Sequence, residues 1–382
     1  MALKKIKKLI ATVAWTTVPI VVKMLSSKSK KDDLLIIKTD EIGDYILFRC
    51  YLKYFKESET YKNSKITLLG NIAWKQIFEE YDHDLVDDII WVDKKKFNKS
   101  LAYRFGLFRK VSTLQTSTVV NCIYSRSLLL DDGFAYVASG RNKFAMKGDN
   151  TNRGKSGKNF DKVIYTSVID AGGQEVFDAV RTRNFISEIL KAKVKLENRL
   201  EPTSNSMSVA KKYFILFLGA GNPERKWPLD HFLEIASYVQ SKHGLIPCIC
   251  GGKEDMPDAE AFLAKYKKNT INYAGKTSLL QLIELLSKAE FLICVDTGIL
   301  HIAAAVGCPV IGLYSGKFYG RFAPYPKELT AQFYPVYPDF VDTLIANADP
   351  VLYDTFTMKN NTNKMIEPNK LLPYIDIIVA HQ

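Results

Sequence analysis

Residues 291–315 read FLICVDTGILHIAAAVGCPVIGLYS, and their order decides the fold. Phe291–Val295 is a short, wholly apolar run of the kind that forms a strand buried on both faces of a parallel sheet. Asp296-Thr297-Gly298 interrupts it, and Ile299–Val306 continues at helical spacing with a run of small alanines. Gly307 and Pro309 end that helix, and Val310–Tyr314 is a second apolar strand. Strand, polar loop, helix, strand is the repeating unit of a doubly wound α/β domain. Such sheets bind ligands at the carboxyl ends of their strands, which is where Asp296, Thr297 and Gly298 fall. The alanines let the helix approach the sheet closely, and its free N–H groups point at the loop. His301, one turn in, is either a ligand contact or an ordinary helix histidine satisfied by its neighbours.

The same unit recurs on both sides. Leu34–Ile37 predicts a buried strand, Lys38–Asp44 a turn, and Ile46, Leu47, Cys50, Tyr51, Tyr54 and Phe55 a helix. Further strands are expected at Ile66–Leu69, Ile89–Val92 and Val119–Ile123, with a helix over 73–81. Residues 138–160, rich in Gly, Asn, Lys and Ser, read as a long loop, 177–190 as a helix and 201–208 as an interdomain linker. A second series starts at Tyr213–Leu218 and continues with a helix over 229–242, a strand at Ile246–Cys250 and a helix over 278–288. From Phe318 onward aromatics and prolines predict irregular structure, and a last helix near 369–380 is a candidate to return onto the first domain. The expected division is a tail over 1–32, a first domain over 33–205 and a second over 206–382.

Length and charge narrow the classes. The chain has 382 residues, 53 Lys plus Arg, 41 Asp plus Glu and a formal net charge of +12. Residues 1–31 hold Lys4, Lys5, Lys7, Lys8, Lys23, Lys28, Lys30 and Lys31 and no acid, so +8 of that charge lies in the tail. The nearly balanced body argues against a nucleic-acid binder. No apolar run is long enough for a transmembrane helix. Leu3, Ile6, Ile10, Val13 and Ala14 follow helical spacing with lysines opposite, which predicts a basic amphipathic segment on an anionic membrane surface; the plainer alternative is a tail packed on its own protein. A signal peptide fits less well, because no small-x-small cleavage site follows. The cysteines at 50, 122, 248, 250, 294 and 308 lack zinc-ligand spacing and read as buried reduced thiols, with Cys248 and Cys250 on one side of a strand.

Two more strand-to-helix loops carry chemistry. In Glu41-Ile42-Gly43-Asp44, Gly43 allows a tight turn, and Asp44 is either a general base at the mouth of a cleft or a helix cap. In Gly219-Ala220-Gly221-Asn222-Pro223-Glu224-Arg225-Lys226-Trp227-Pro228, glycines admit phosphate oxygens to the backbone and a cation follows. Glu254, Asp255 and Asp258 follow Gly251-Gly252, and one of them, Glu254 first, is a candidate for a sugar or ribose hydroxyl, with a solvated helix start as the alternative. Asp82-His83-Asp84 resembles a metal-holding D-x-D but does not end a buried strand, so no metal site is expected there.

Together IIKTDEIGDYILF, FLGAGNPERKWPLDHF and FLICVDTGILHIAAAVGCPVIGLYS resemble glycosyltransferase family 9, which contains the ADP-heptose:lipopolysaccharide heptosyltransferases. The resemblance spans roughly 34–325 and is weak over 125–205. It implies a GT-B architecture, two Rossmann-like doubly wound domains facing a central cleft, acceptor on the first and nucleotide-sugar donor on the second. It implies Asp44 as base with Gly43 on the acceptor side. It implies donor contacts at Lys226, Asp296, Thr297, Gly298 and His301, to which the reading of the loops adds Gly219, Gly221, Asn222 and Glu254. One residue is missing from the family's Lys-(Arg/His)-Trp-Pro run, which leaves Lys226 and Arg225 both open for the diphosphate. The reaction it implies is metal-independent single displacement from a nucleotide diphosphate sugar, ADP-heptose first, onto a hydroxyl of a lipopolysaccharide core or similar lipid-linked glycan. No further cofactor is expected. The expected location is the inner face of the cytoplasmic membrane, held by residues 1–31. The competing readings are a nucleotide-sugar hydrolase or epimerase on the same frame, or a non-catalytic glycan- or nucleotide-binding protein.

Overall fold

The computed structural model describes residues 16–24, 33–149, 151–153, 157–203, 206–207, 209, 211–354 and 357–381. The chain divides into two compact units, Met1–Gly173 with Arg181–Lys195, and Gln174–Val180 with Leu196–Gln382. Each is a parallel sheet of six strands among the described residues.

In the first unit β1 (Asp33–Lys38), β2 (Ile66–Asn71), β3 (Asp88–Val92), β4 (Thr116–Asn121), β5 (Asn142–Met146) and β6 (Ser167–Ile169) lie in the order β3-β2-β1-β4-β5-β6. In the second β7 (Tyr213–Phe217), β8 (Ile246–Cys250), β9 (Ile271–Asn272), β10 (Leu292–Val295), β11 (Val310–Leu313) and β12 (Phe333–Val336) lie in the order β12-β11-β10-β7-β8-β9. Both are the Rossmann order, in which the direction of winding reverses beside the first strand. The reversals fall between β1 and β4 and between β7 and β10. The central strands are buried throughout, as their apolar runs required: Leu34, Leu35, Ile36 and Ile37 and Leu292, Ile293, Cys294 and Val295 are all fully buried.

Four strands went unread. β5 lies inside the segment expected to be a long loop. Its sequence, Asn-Lys-Phe-Ala-Met, holds a lysine that a strand reading rejects. Lys143 is nonetheless buried, donating to the carbonyls of Ala135 (2.6 Å), Tyr136 (3.3 Å) and Ala138 (2.8 Å) at the end of the helix Asp131–Val137, and burial lowers its amine to about 7. Downstream, Arg153 and Arg126 both grip Asp161, at 2.5 and 2.9 Å. β6 and β9 are edge strands of three and two residues. β12 and the helix Asp339–Ala346 break the irregular stretch expected after Phe318.

The domain limits also differ. The segment read as a linker is tied to the second unit: Leu200 N–H donates to Ala305 O (2.9 Å), and the buried Glu284 carboxylate accepts from the N–H of Ser206 (3.0 Å) and Met207 (2.8 Å). Gln174–Val180 joins that unit as well, with Phe177 against Tyr325 (4.6 Å) and Asp178 N–H on Arg321 O (2.9 Å). The last helix, Leu372–Ala380, belongs to the second unit, where Ile375 and Ile378 are buried in the core with Phe232 and Ile235.

Residues 16–24 are helical, and Val18 and Val22 pack into the first core while Lys23 donates to Ala138 O (2.9 Å). This part of the tail therefore packs on its own protein. Residues 1–15 and 25–32, where the amphipathic reading and the other seven tail lysines fall, lie outside the described residues. No helix among the described residues is long and apolar enough to cross a membrane. The six cysteines are free, and the sulfurs of Cys248 and Cys250 are 3.9 Å apart on one side of β8.

Asp82 of the D-x-D is a structural anchor. Its buried carboxylate accepts from Arg49 Nη2 (2.7 Å) and Nε (2.9 Å) and from the Tyr45 hydroxyl (2.7 Å), and Tyr45 stacks on Trp74 at 3.9 Å. Removing one partner of a buried pair leaves the other charge uncompensated, at a cost of about 3–5 kcal/mol. Asp82→Ala is expected to lose stability of that size in urea unfolding, with no change in response to added divalent metal.

Candidate functional site

Four loops follow the strands that flank the two reversals, and every sequence-predicted site residue except Glu254 lies on one of three of them or in the first turn of the helix that follows it. In the first unit the loop after β1 leads into the helix Ile42–Ile46. Gly43 is not in a turn but inside that helix, buried. Asp44 is its third residue, and its carboxylate accepts from the Glu41 N–H at 3.3 Å as one half of a capping box with Glu41. Asp44 therefore has the capping role that the plainer reading gave it, at the third helical position instead of the cap itself. The cap is a long bond on a half-buried side chain, and a carboxylate can accept several hydrogen bonds.

Beside it stands a residue that sequence reasoning missed. Lys38 ends β1 with its side chain fully buried and donates to Asp40 (2.9 Å) and to Cys122 O (3.4 Å). The other Asp40 oxygen is buried and has no hydrogen-bond partner. Burial raises the Asp40 carboxyl to about 7; Lys38 pulls it down, the Asp44 charge pushes it up and Lys94 pulls it down slightly. Glu41, Asp40's neighbour, takes Lys94 at 2.6 Å and Asn71 at 3.4 Å. Thr39 donates to Asp131, whose second oxygen accepts from Ser127 N–H (2.8 Å). The available signal was the acidic pair Asp40-Glu41 two residues after a lysine at a strand end.

In the second unit the loop after β7 is held by a carboxylate from the loop after β8. Asp255 is buried, accepts from Gly252 N–H (2.8 Å) and fills the space that a Cβ on Gly219 would occupy; a Cβ on Gly251 would meet its Oδ2 at 2.8 Å. Burial raises its carboxyl, with the Gly252 hydrogen bond opposing. Glu254, the predicted contact, is exposed at the start of the next helix. Gly221 is exposed, and nothing in the protein lies within 4 Å of where its Cβ would be. Asn222 caps the short turn Pro223–Arg225 by accepting from Glu224 N–H (3.0 Å). Lys226 pairs with Asp258, and Trp227 is buried with its indole N–H on Ile366 O (2.8 Å).

Arg225 connects this loop to the third one. It donates to Asp296 O (3.3 Å) and lies 3.9 Å from the Asp296 carboxylate. The two cations left open by the missing residue thus have separate partners: Arg225 on Asp296, Lys226 on Asp258. Asp296, Thr297 and Gly298 are half-exposed at the end of β10, and the buried Ala303, Ala304 and Ala305 allow the close helix approach expected of them. His301 is buried, its Nδ1 2.6 Å from the Tyr325 hydroxyl and its ring beside Phe322 (5.6 Å). The structure gives it the satisfied-histidine environment and makes it a support for the loop that holds Tyr325. Among the described residues no group of three or more His, Cys, Asp or Glu is placed to hold a metal ion.

Two doubly wound units with polar loops at their reversals define the class, and comparison with known proteins makes it specific. Residues 186–343 match the sequence model of glycosyltransferase family 9 (heptosyltransferase). The lipopolysaccharide core heptosyltransferase OpsX of Haemophilus influenzae is 32% identical over 117 residues, 30% of this chain and 34% of that protein. The lipooligosaccharide heptosyltransferase 2 of Haemophilus ducreyi is 31% identical over 148 residues, 37% of this chain and 41% of its own. The matches thus span less than half the length of these relatives. A family 9 glycosyl transferase from Veillonella parvula shares the fold over 93% of this chain and 100% of its own, with a TM-score of 0.67 at 17% identity. The Escherichia coli heptosyltransferase WaaC, solved with ADP-2-deoxy-2-fluoro heptose, does so over 90% and 99%, with a TM-score of 0.64 at 17% identity. The chain is thus similar to heptosyltransferases in sequence over part of its length, with the family 9 match in residues 186–343, and it shares the α/β GT-B fold of its solved neighbours.

Burial lowers the His301 imidazole to about 4, with Asp178 pulling it back slightly. The unfolded chain binds that proton from about pH 6.5 downward and the folded one only near 4. The stability this histidine contributes is therefore complete above about 6.5 and is lost as pH falls toward 4. In an NMR titration its ring signals should stay at the neutral position down to pH 5, unlike those of an exposed histidine. The two glycines should also separate. Gly219→Ala collides with Asp255 and should cost about 1–3 kcal/mol. Gly221→Ala, with nothing in the protein near its Cβ, should leave stability within about 0.5 kcal/mol in the same urea unfolding experiment.

Proposed function

We propose that this protein transfers a sugar, heptose from ADP-heptose, to a hydroxyl of a lipopolysaccharide core or similar lipid-linked glycan. The observation that carries the reading is the family 9 match over residues 186–343, which contains the loops after β7 and β10 that Arg225 brings together. Heptosyltransferases lead the relatives in sequence, and one structural neighbour was solved with an ADP-heptose analogue.

In this mechanism the backbone around Gly219, Gly221 and Gly298, with Thr297, receives the diphosphate. Lys226 leaves Asp258 to face it, and Arg225 holds Asp296 in place. Fixed cations and N–H groups stabilise the charge that develops on the leaving diphosphate, and no step of the proposal needs a metal. Asn222 sets the turn that presents Lys226, Glu254 is available to a ribose or sugar hydroxyl, and His301 supports the loop. Asp44 takes the proton of the acceptor hydroxyl, with Gly43 giving the acceptor room. The proposed site of action is the inner face of the cytoplasmic membrane, where the lysine arm 1–31 holds the enzyme beside an anionic, lipid-linked acceptor.

A second assignment of the base has a specific observation behind it. Asp40 is the carboxyl near 7, with one buried oxygen unengaged, and a base works best when its pKa lies near the operating pH. Asp44→Asn is expected to lower kcat about 10²–10⁴-fold. Asp40→Asn should stay within about tenfold, because the proton acceptor is still present. The reverse pattern assigns the base to Asp40. Full transfer rate in both variants would sink the mechanism.

A further inference from the structure

The helices Lys94–Lys99 and Leu101–Ser112 of the first unit make a surface that the transfer reaction does not use. Residues 94–112 contain seven Lys or Arg and no Asp or Glu. Two of the cations are engaged elsewhere: Lys94 pairs with Glu41, and Arg104 is buried over the Phe97 ring at 4.3 Å. Lys95, Lys96, Lys99 and Lys110 are exposed, and the acid paired with Lys96 is Asp93, at 3.7 Å. Between them lie Leu101 and Phe105, 39% and 40% exposed. They are four residues apart and so share one strip of the helix, which continues to Arg109. The helix cannot turn to hide them, because Phe108 and Val111 on its other side are fixed in the first core with Phe97.

We infer that this face docks on an anionic lipid surface, with Leu101 and Phe105 entering the headgroup region and Lys95, Lys96, Lys99 and Lys110 meeting lipid phosphates. Apolar side chains inside a rim of lysines are what such an interface selects. Charge decides against a second copy of the chain as occupant: two acid-free faces of the same sign repel each other. The inference needs neither the transfer reaction nor the lysine arm.

The test is co-sedimentation of the full chain with phosphatidylcholine vesicles, with and without phosphatidylglycerol. Binding is expected only with the anionic lipid and should weaken with salt. Each surface lysine contributes about fivefold, so Lys95→Gln with Lys99→Gln should lower the partition coefficient about tenfold or more. Leu101→Ser with Phe105→Ser, which removes only apolar surface, should lower it by about as much, with circular dichroism unchanged. Replacing Lys4, Lys5, Lys7 and Lys8 by Gln reports the arm separately, and its effect should multiply with that of the patch. Parental partitioning in both patch variants overturns the proposal. So does a loss confined to self-association, or a lysine effect reproduced on heparin with no effect of the apolar pair. The readout needs no transferase activity, so failure of the heptosyl-transfer reading would leave it intact.

Discussion

A parallel strand cannot be followed by its neighbour through a tight turn. The chain must cross back over the sheet, and it does so with one handedness. Winding first to one side of the opening strand and then to the other leaves a point where two adjacent loops diverge, and no crossover helix covers the strand ends there. In the first unit this point lies between β1 and β4, in the second between β7 and β10. Asp40 and Asp44, and Arg225 and Asp296, stand on the loops so exposed. The chemistry of each unit is placed by the path of its backbone before any side chain is chosen.

The side chains then hold the loops against each other with buried charge. Lys38 finds Asp40 and a carbonyl, Arg49 finds Asp82 and Tyr45, and Glu284 takes two backbone N–H groups of the incoming segment. These groups lose hydration on burial, so they persist only where partners are fixed by the fold. Asp40 is only half matched: its lysine satisfies one oxygen, and the other is buried with no hydrogen-bond partner. What sets it apart is that this half-matched carboxylate stands on the loop after β1.

Much of this was legible in the sequence. The eight apolar strand runs are self-evident because a doubly covered strand must be apolar along its whole length, and β8 is found at the residues expected. The missed strands escape that rule. β5, an inner strand, carries a lysine whose amine is satisfied by helix-end carbonyls, and the edge strand β9 has two residues. The D-T-G loop and the Gly-rich loop could be read because their residue types are demanded by strand ends and helix starts. Which of Arg225 and Lys226 faces Asp296, and that Asp255 rather than Glu254 is the buried carboxylate, depend on side-chain reach across loops that are distant in sequence. The resemblance to family 9 identified Asp44, while its capping partner Glu41 and the neighbouring Asp40 emerged only from geometry.

Asp255 has a consequence for how this loop can change over generations. Its carboxylate occupies the volume next to both Gly219 and Gly251, so neither glycine can accept a side chain while the aspartate is present. Replacing the aspartate first would open a void and release the Gly252 N–H. Each single step is therefore penalised, and the three positions should change together or not at all. A lineage that keeps the aspartate keeps two bare stretches of backbone in the loops after β7 and β8, whatever else changes around them.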